Sequence, residues 1–197
     1  MDHTKQCIYI YKLSKKVKKT KTIIQDLFII EQEIFNDQRG TFMESWNHYK
    51  CESHNLHSNF TQDNVSISHK NVIRGLHFQD KPYQQLKLVR VLQGSVLDVV
   101  VDLRKSSKTF GKYFTIELSS INNLMLWIPP GCAHGFKSHE NNTIFYYKCT
   151  EQYKPGHEKT IKWNDTELNI NWGIKNPKIS KKDAKGMSFD YYKNQIT

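Results

Sequence analysis

Five side chains have the type and setting to move protons. Parity along Lys87-Leu88-Val89-Arg90-Val91 puts Lys87 on the face of Val89 and Val91, so its charge points among apolar neighbours. An unpaired buried ammonium is costly. It either snorkels from a strand end or stands ready for an anion that arrives with a ligand. Tyr147 shares a face with Thr143, Phe145 and Cys149, which by itself suits a core aromatic whose hydroxyl finds a carbonyl. His77 follows Arg74-Gly75-Leu76, and a regular strand would send Arg74 and His77 to opposite faces. If both serve one site, Gly75 must permit a bulge or bend. His134 lies just before Gly135 in Pro130-Gly131-Cys132-Ala133-His134-Gly135-Phe136, where a lone histidine is usually structural. Asp183 stands three residues after Ser180, the spacing of a capping box, so helix capping is its ordinary role. Histidine is a common metal ligand, but no H-x-H pair with a following carboxylate accompanies His77 and His134, and no metal is assigned.

The elements that must hold these residues are strands. Val96, Asp98, Val100 and Asp102 alternate with Leu97, Val99, Val101 and Leu103, the period of a strand with one wholly apolar face. Leu86 to Val91 precedes it across a Gln93-Gly94 turn, and Phe114, Ile116 and Leu118 alternate with Thr115 and Glu117 in the next segment. Leu124 to Ile128 runs into Pro129-Pro130-Gly131, and Thr143 to Cys149 is a β-branched and aromatic run. The stretch from Glu44 to about Asn55 and the one from Ser180 read as short helices. Many short strands with frequent turns indicate an all-β sandwich or barrel; there is neither a dinucleotide-binding glycine fingerprint nor a strand-helix alternation.

The 197 residues fit one domain, expected over 21–197, with residues 1–20 as a flexible lysine-rich arm. No window approaches a membrane span of about 20 apolar residues, and the basic start lacks the apolar stretch of a secretory signal. Cys7, Cys51, Cys132 and Cys149 form no C-x-x-C pair and read as reduced thiols, so a soluble cytoplasmic protein is expected. The net charge of +10 invites a polyanion. With only two alanines, Ala133 and Ala184, beside abundant Lys, Asn and Ile, coding bias accounts for much of that charge, and nucleic acid is not the expected partner.

Taken in order, Gln38-Arg39-Gly40, Glu44-Ser45, Gln62-Asp63-Asn64, Arg74-Gly75-Leu76-His77-Phe78-Gln79, Lys87-Leu88-Val89-Arg90 and Asp98 through Arg104 resemble the motifs of the dTDP-4-dehydrorhamnose 3,5-epimerase family. Trp127-Ile128-Pro129, Ala133-His134-Gly135-Phe136, Tyr147-Lys148-Cys149-Thr150, Trp163-Asn164-Asp165 and Ser180 through Asp183 continue the resemblance, which covers about Thr20 to Ala184. It implies a cupin-like jelly-roll barrel with a few short peripheral helices, usually a homodimer. It implies an isomerase of rhamnose biosynthesis that acts without metal or nicotinamide on a nucleotide-linked 4-keto-6-deoxyhexose. The family's base and its carboxylate partner fall on His77 and Asp183, its acid on Tyr147, and its enolate-stabilising cation on Lys87. Its substrate contacts fall on Arg39, Glu44, Gln62, Asp63, Asn64, Arg74, His134, Glu158 and Lys182.

The implied chemistry is coherent. A C4 ketone acidifies the hydrogens on C3 and C5, because the carbanion delocalises onto the C4 oxygen. Imidazole, with an ordinary pKa of about 6.5, is a suitable base, and a phenol, near 10, keeps a proton to deliver to the opposite face. A C3 or C5 monoepimerase and a 3,4-ketoisomerase of a related nucleotide sugar are the alternatives within this chemistry. A non-catalytic sugar-binding relative would have lost the acid or the base, and both are present. The sequence leaves open whether the nucleotide is dTDP or UDP.

Overall fold

A computed structural model describes residues 17–195. Thirteen strands occur among them: β1 Val17–Lys21, β2 Phe28–Gln32, β3 Ile34–Asp37, β4 Gly40–Met43, β5 Gln62–Ser68, β6 Ile73–Gln79, β7 Lys87–Gln93, β8 Ser95–Asp102, β9 Tyr113–Ser119, β10 Met125–Ile128, β11 Cys132–Ser138, β12 Thr143–Cys149 and β13 Glu158–Thr160. Three short helices accompany them: α1 His48–Ser53, α2 Lys181–Ala184 and α3 Phe189–Gln195. Two antiparallel sheets face each other, with strand orders β1-β2-β10-β7-β12-β5 and β13-β6-β11-β8-β9, and β3-β4 forms a separate hairpin. Consecutive strands cross repeatedly between the two sheets, giving the all-β jelly roll that the resemblance implied.

The side-chain alternation of each strand explains the packing. Val89, Val91, Val96, Val100, Leu118, Leu126, Phe136 and Phe145 project between the sheets and form the central core. A second cluster lies behind the five-stranded sheet, where Leu168, Trp172 and Phe189 of the C-terminal segment cover Ile73, Leu76, Val99 and Val101. Behind the other sheet, Cys51 of α1 and Leu56 just after it pack on Leu88, Met125 and Trp127. The strand read as having one apolar face is therefore buried on both. Val96 and Val100 face the interior, Val99 and Val101 face the C-terminal cover, and Asp98 and Asp102 are themselves fully buried. Asp102 tolerates this because Arg104, Ser107 and Thr109 all donate to it.

The end of the stretch expected to be a flexible arm is ordered: Val17–Lys21 pairs with β2 as β1, and Val17 is buried against Ile30. Residues 1–16 lie outside the described residues. The helix expected between Glu44 and Asn55 is confined to His48–Ser53, started by Asn47, whose side chain accepts from the Lys50 amide. No helix among the described residues is long and apolar enough to cross a membrane.

Candidate active site

Between the sheets, two adjoining cavities share His77, Lys87, Tyr147 and Glu158. Gln62, Asn64, Gln79, Gln85, Cys149 and Tyr153 belong to the first; Ser66, Arg74, His134, Phe136 and Phe145 belong to the second.

His77 reaches the cavity through a bulge. It stands opposite His134, whereas Arg74 stands opposite Phe136, so three steps along β6 match two along β11. Gly75 permits this: its φ is +121°, and a Cβ there would lie 2.5 Å from the Gly135 Cα and 2.7 Å from the His134 carbonyl oxygen. The bulge turns Arg74 and His77 toward the same cavity, as Gly75 had to allow if both were to serve one site.

His77 Nε2 lies 2.7 Å from Asp183 Oδ1, while the Gly75 amide donates to Oδ2 at 3.3 Å. Asp183 plays two parts. Its amide donates to the Ser180 cap at 3.0 Å, as the capping spacing indicated, but its carboxylate turns to the histidine. A backbone bond from Ile73 to Lys178 ties this segment to the start of β6. Burial pushes the Asp183 carboxyl up, but bonds from His77 and Gly75 outweigh it and hold the group below the usual carboxylate range. With Nε2 donating to this carboxylate, the lone pair is on Nδ1, and the ring is held in one orientation.

Opposite, on the six-stranded sheet, Lys87 of β7 pairs in register with Cys149 of β12, and Tyr147 lies two residues along. Lys87 is buried, so desolvation lowers its proton affinity, opposed by Cys149, Glu158 and Asp98. Burial, with Cys149 and Glu158 adding, pushes the Tyr147 phenol up to about 12. The phenol therefore keeps its proton across neutral pH. The His77 imidazole and the Tyr147 phenol stand on different sheets, on either side of the shared cavities.

Glu158 of β13 accepts from the Tyr153 hydroxyl at 2.7 Å and from the Lys182 ammonium. His134 Nε2 bonds both oxygens of buried Asp98, at 2.9 and 3.1 Å. Arg74 Nε donates to Ser68 Oγ at 3.0 Å. Of the implied substrate contacts, Gln62, Asn64, Arg74, His134 and Glu158 line the cavities, and Lys182 reaches them through Glu158.

Three of the implied contacts are placed elsewhere in the chain. Asp63, between inward-facing Gln62 and Asn64, points outward by strand alternation and accepts from Lys148 and Tyr146. Arg39 is exposed at the β3–β4 turn and bonds Asp37 at 3.0 Å through Nε. Glu44 accepts from Asn47 at 3.1 Å and from Lys50. Sequence reasoning in turn missed Ser66, Gln79, Gln85, Cys149 and Tyr153 as lining residues, and Asp98 as the anchor of His134. Alternation carried the signal for four of them: Ser66 shares parity with Gln62, Gln79 with His77, Cys149 with Tyr147, and Asp98 with Val96. Gln85 and Tyr153 lie in loops, where no period exists. No group of three metal-ligating side chains is assembled among the described residues.

Fold and site together define a cupin-like barrel with a histidine on one sheet and a lysine and a tyrosine on the facing one. The chain belongs to the dTDP-4-dehydrorhamnose 3,5-epimerase family, whose model matches residues 21–190. It is 47% identical over 176 residues to the dTDP-4-dehydrorhamnose 3,5-epimerase of Shigella flexneri, covering 87% of this chain and 97% of that protein. The crystal structure of the Bacillus anthracis dTDP-4-dehydrorhamnose 3,5-epimerase with TDP and PPi bound is 41% identical, with a TM-score of 0.87 over 88% of this chain and all of that one. A Legionella pneumophila dTDP-6-deoxy-D-glucose-3,5-epimerase in complex with dTDP-4-keto-L-rhamnose is also 41% identical, with a TM-score of 0.85 over 89% and 94% of the two chains.

Proposed function

We propose that this protein epimerises a dTDP-linked 4-keto-6-deoxyglucose at C3 and C5 to the 4-keto-L-rhamnose form, in rhamnose biosynthesis and without a cofactor. The observation that carries this reading is the His77–Asp183 pair, 2.7 Å apart, in one cavity with Lys87 and Tyr147 on the facing sheet. His77 Nδ1 takes the proton from a carbon next to the ketone. Asp183 stabilises the imidazolium that forms. The electron pair moves onto the C4 oxygen, where the Lys87 ammonium stabilises the enolate more strongly than it would in water. Tyr147 then protonates the same carbon from the opposite side. His77 then releases its proton to solvent and Tyr147 regains one from it, and the cycle repeats at the second carbon. The names of the bound relatives support dTDP as the nucleotide.

A homodimer belongs to this proposal. It is supported by Arg39, which lies at the β3–β4 turn and lines neither cavity of its own chain, and by Phe42 of the same hairpin, which is 65% exposed. A cytoplasmic location is supported by Cys51, Cys132 and Cys149, which are free, buried thiols.

The test is NMR of dTDP-4-keto-6-deoxyglucose with the protein in deuterated water. Deuterium is expected at both C3 and C5. Entry at one carbon alone identifies a monoepimerase, movement of the carbonyl identifies a ketoisomerase, and no exchange overturns the proposal.

A further inference from the structure

Glu158 stands where it can act on every proton-transferring group at once. β13 runs antiparallel beside β6, with Glu158 opposite Gln79 and Thr160 opposite His77. Glu158 and His77 are therefore diagonal neighbours on one face, within reach of a long side chain. Its side chain is 13% exposed and lines both cavities, with Lys87 and Tyr147 across the gap. Both named donors, Tyr153 and Lys182, approach one oxygen, Oε2.

We infer that Glu158 is a positioning residue that supplies the fixed negative potential against which His77, Lys87 and Tyr147 exchange protons, beyond any contact it makes with the sugar. This rests on the epimerase reading above. The charged and titratable groups around it are His77 and Arg74 from β6, Lys87 from β7, Tyr147 and Cys149 from β12, Tyr153 from the loop before β13, and Lys182 and Asp183 from α2. Behind the cavity, Asp98 of β8 pairs with His134 of β11. Near Lys87, Glu158 and Asp98 are the carboxylates that oppose the effect of burial. Glu158 also contributes to the raised phenol of Tyr147. Its own carboxyl, though burial pushes it up, is held below the ordinary value by Lys182, Tyr153 and His77, so it is ionised at working pH.

A negative charge favours the protonated form of all three groups. Removing it therefore translates the pH–rate profile instead of only lowering it. The limb set by the base and the limb set by the acid and the cation move together toward lower pH.

The experiment is the pH dependence of deuterium exchange at C3 and C5 in wild type, Glu158→Gln and Glu158→Asp, with KM for the dTDP-linked 4-keto sugar at each pH. Glu158→Gln keeps the shape and should move both limbs acidward by about one pH unit, with KM changed less than about threefold, under 1 kcal/mol by the tenfold-per-1.4-kcal/mol scale. Glu158→Asp keeps the charge and should keep the limbs, whatever its maximum rate. Lys182→Met removes the compensating cation and should move both limbs the other way, more weakly because Lys182 is half exposed. This third variant decides the matter if Glu158→Gln does not fold. Unmoved limbs with a lowered maximum or a raised KM in Glu158→Gln would overturn the inference and leave Glu158 a sugar contact only. A shift in Glu158→Asp equal to that in Glu158→Gln would overturn it as well. An inactive wild type would instead sink the epimerase reading.

Discussion

The molecule contains two histidine–carboxylate pairs that use the same ring nitrogen, Nε2, but differ in separation along the chain and in exposure. His77 and Asp183 are 106 residues apart in the chain, meet at 2.7 Å, and leave 27% of the histidine side chain exposed. His134 and Asp98 sit on adjacent strands, with both carboxylate oxygens on one ring nitrogen and only 8% of the histidine side chain exposed. The His134 ring also lies nearly parallel to Phe145, 5.9 Å away. Both histidines line the same cavity, but the first leaves much of its ring open and the second is sealed into the wall. Proton transfer depends less on having such a pair than on how far the ring it holds stays open to the cavity.

That contrast can be broken experimentally. The largest effect is expected from His77→Ala, which should reduce deuterium exchange at both C3 and C5 on the order of 10³-fold, as for loss of a general base. Because Asp183 is itself buried, losing His77 should also lower stability in urea unfolding, softened by the Gly75 amide that still donates to the carboxylate; full epimerisation by this variant would refute the assignment. His134→Ala should weigh more on stability than on exchange. It strands the Asp98 carboxylate in the core, and urea unfolding should report a loss of about 3 kcal/mol. Tyr147→Phe should sharpen the division of labour on the facing sheet. Inversion should fall about 100-fold, while exchange at the carbon that His77 deprotonates persists from the same face.

The smallest expected effect is on acid stability. Asp183 has a lower pKa in the folded state than the unfolded-state value of about 3.9, so its contribution is complete above that value and is lost as pH falls through the lower, folded one. Asp183→Asn should flatten the dependence of urea stability on pH below about 4.

Several elements could be read directly because their periods are undisturbed. Thr143–Cys149 is a strand with the bounds its β-branched and aromatic run implied, and the faces assigned to Lys87 and Tyr147 follow from simple alternation. The capping spacing at Ser180 found the start of α2. Reading failed where a long-range partner decides. Nothing local marks Lys18 to Lys21 as a strand, because β1 exists by pairing with β2. The Asp-bearing face of β8 reads as polar, yet it is buried: His134 and Arg104, both later in the chain, supply its partners.

By itself the sequence determined the local things: the alternation that makes strands, the glycine that can occupy a positive φ at position 75, the cap at Ser180, and the presence of an imidazole, a phenol and an ammonium. These follow from backbone sterics and side-chain chemistry within a few residues. Only the tertiary structure decided that Asp183 meets His77 through Nε2, that Asp63 faces away from the cavity, and that Glu158 stands diagonal to the base. Such contacts depend on register between distant strands, and a single-residue shift in register reverses the face that a side chain presents.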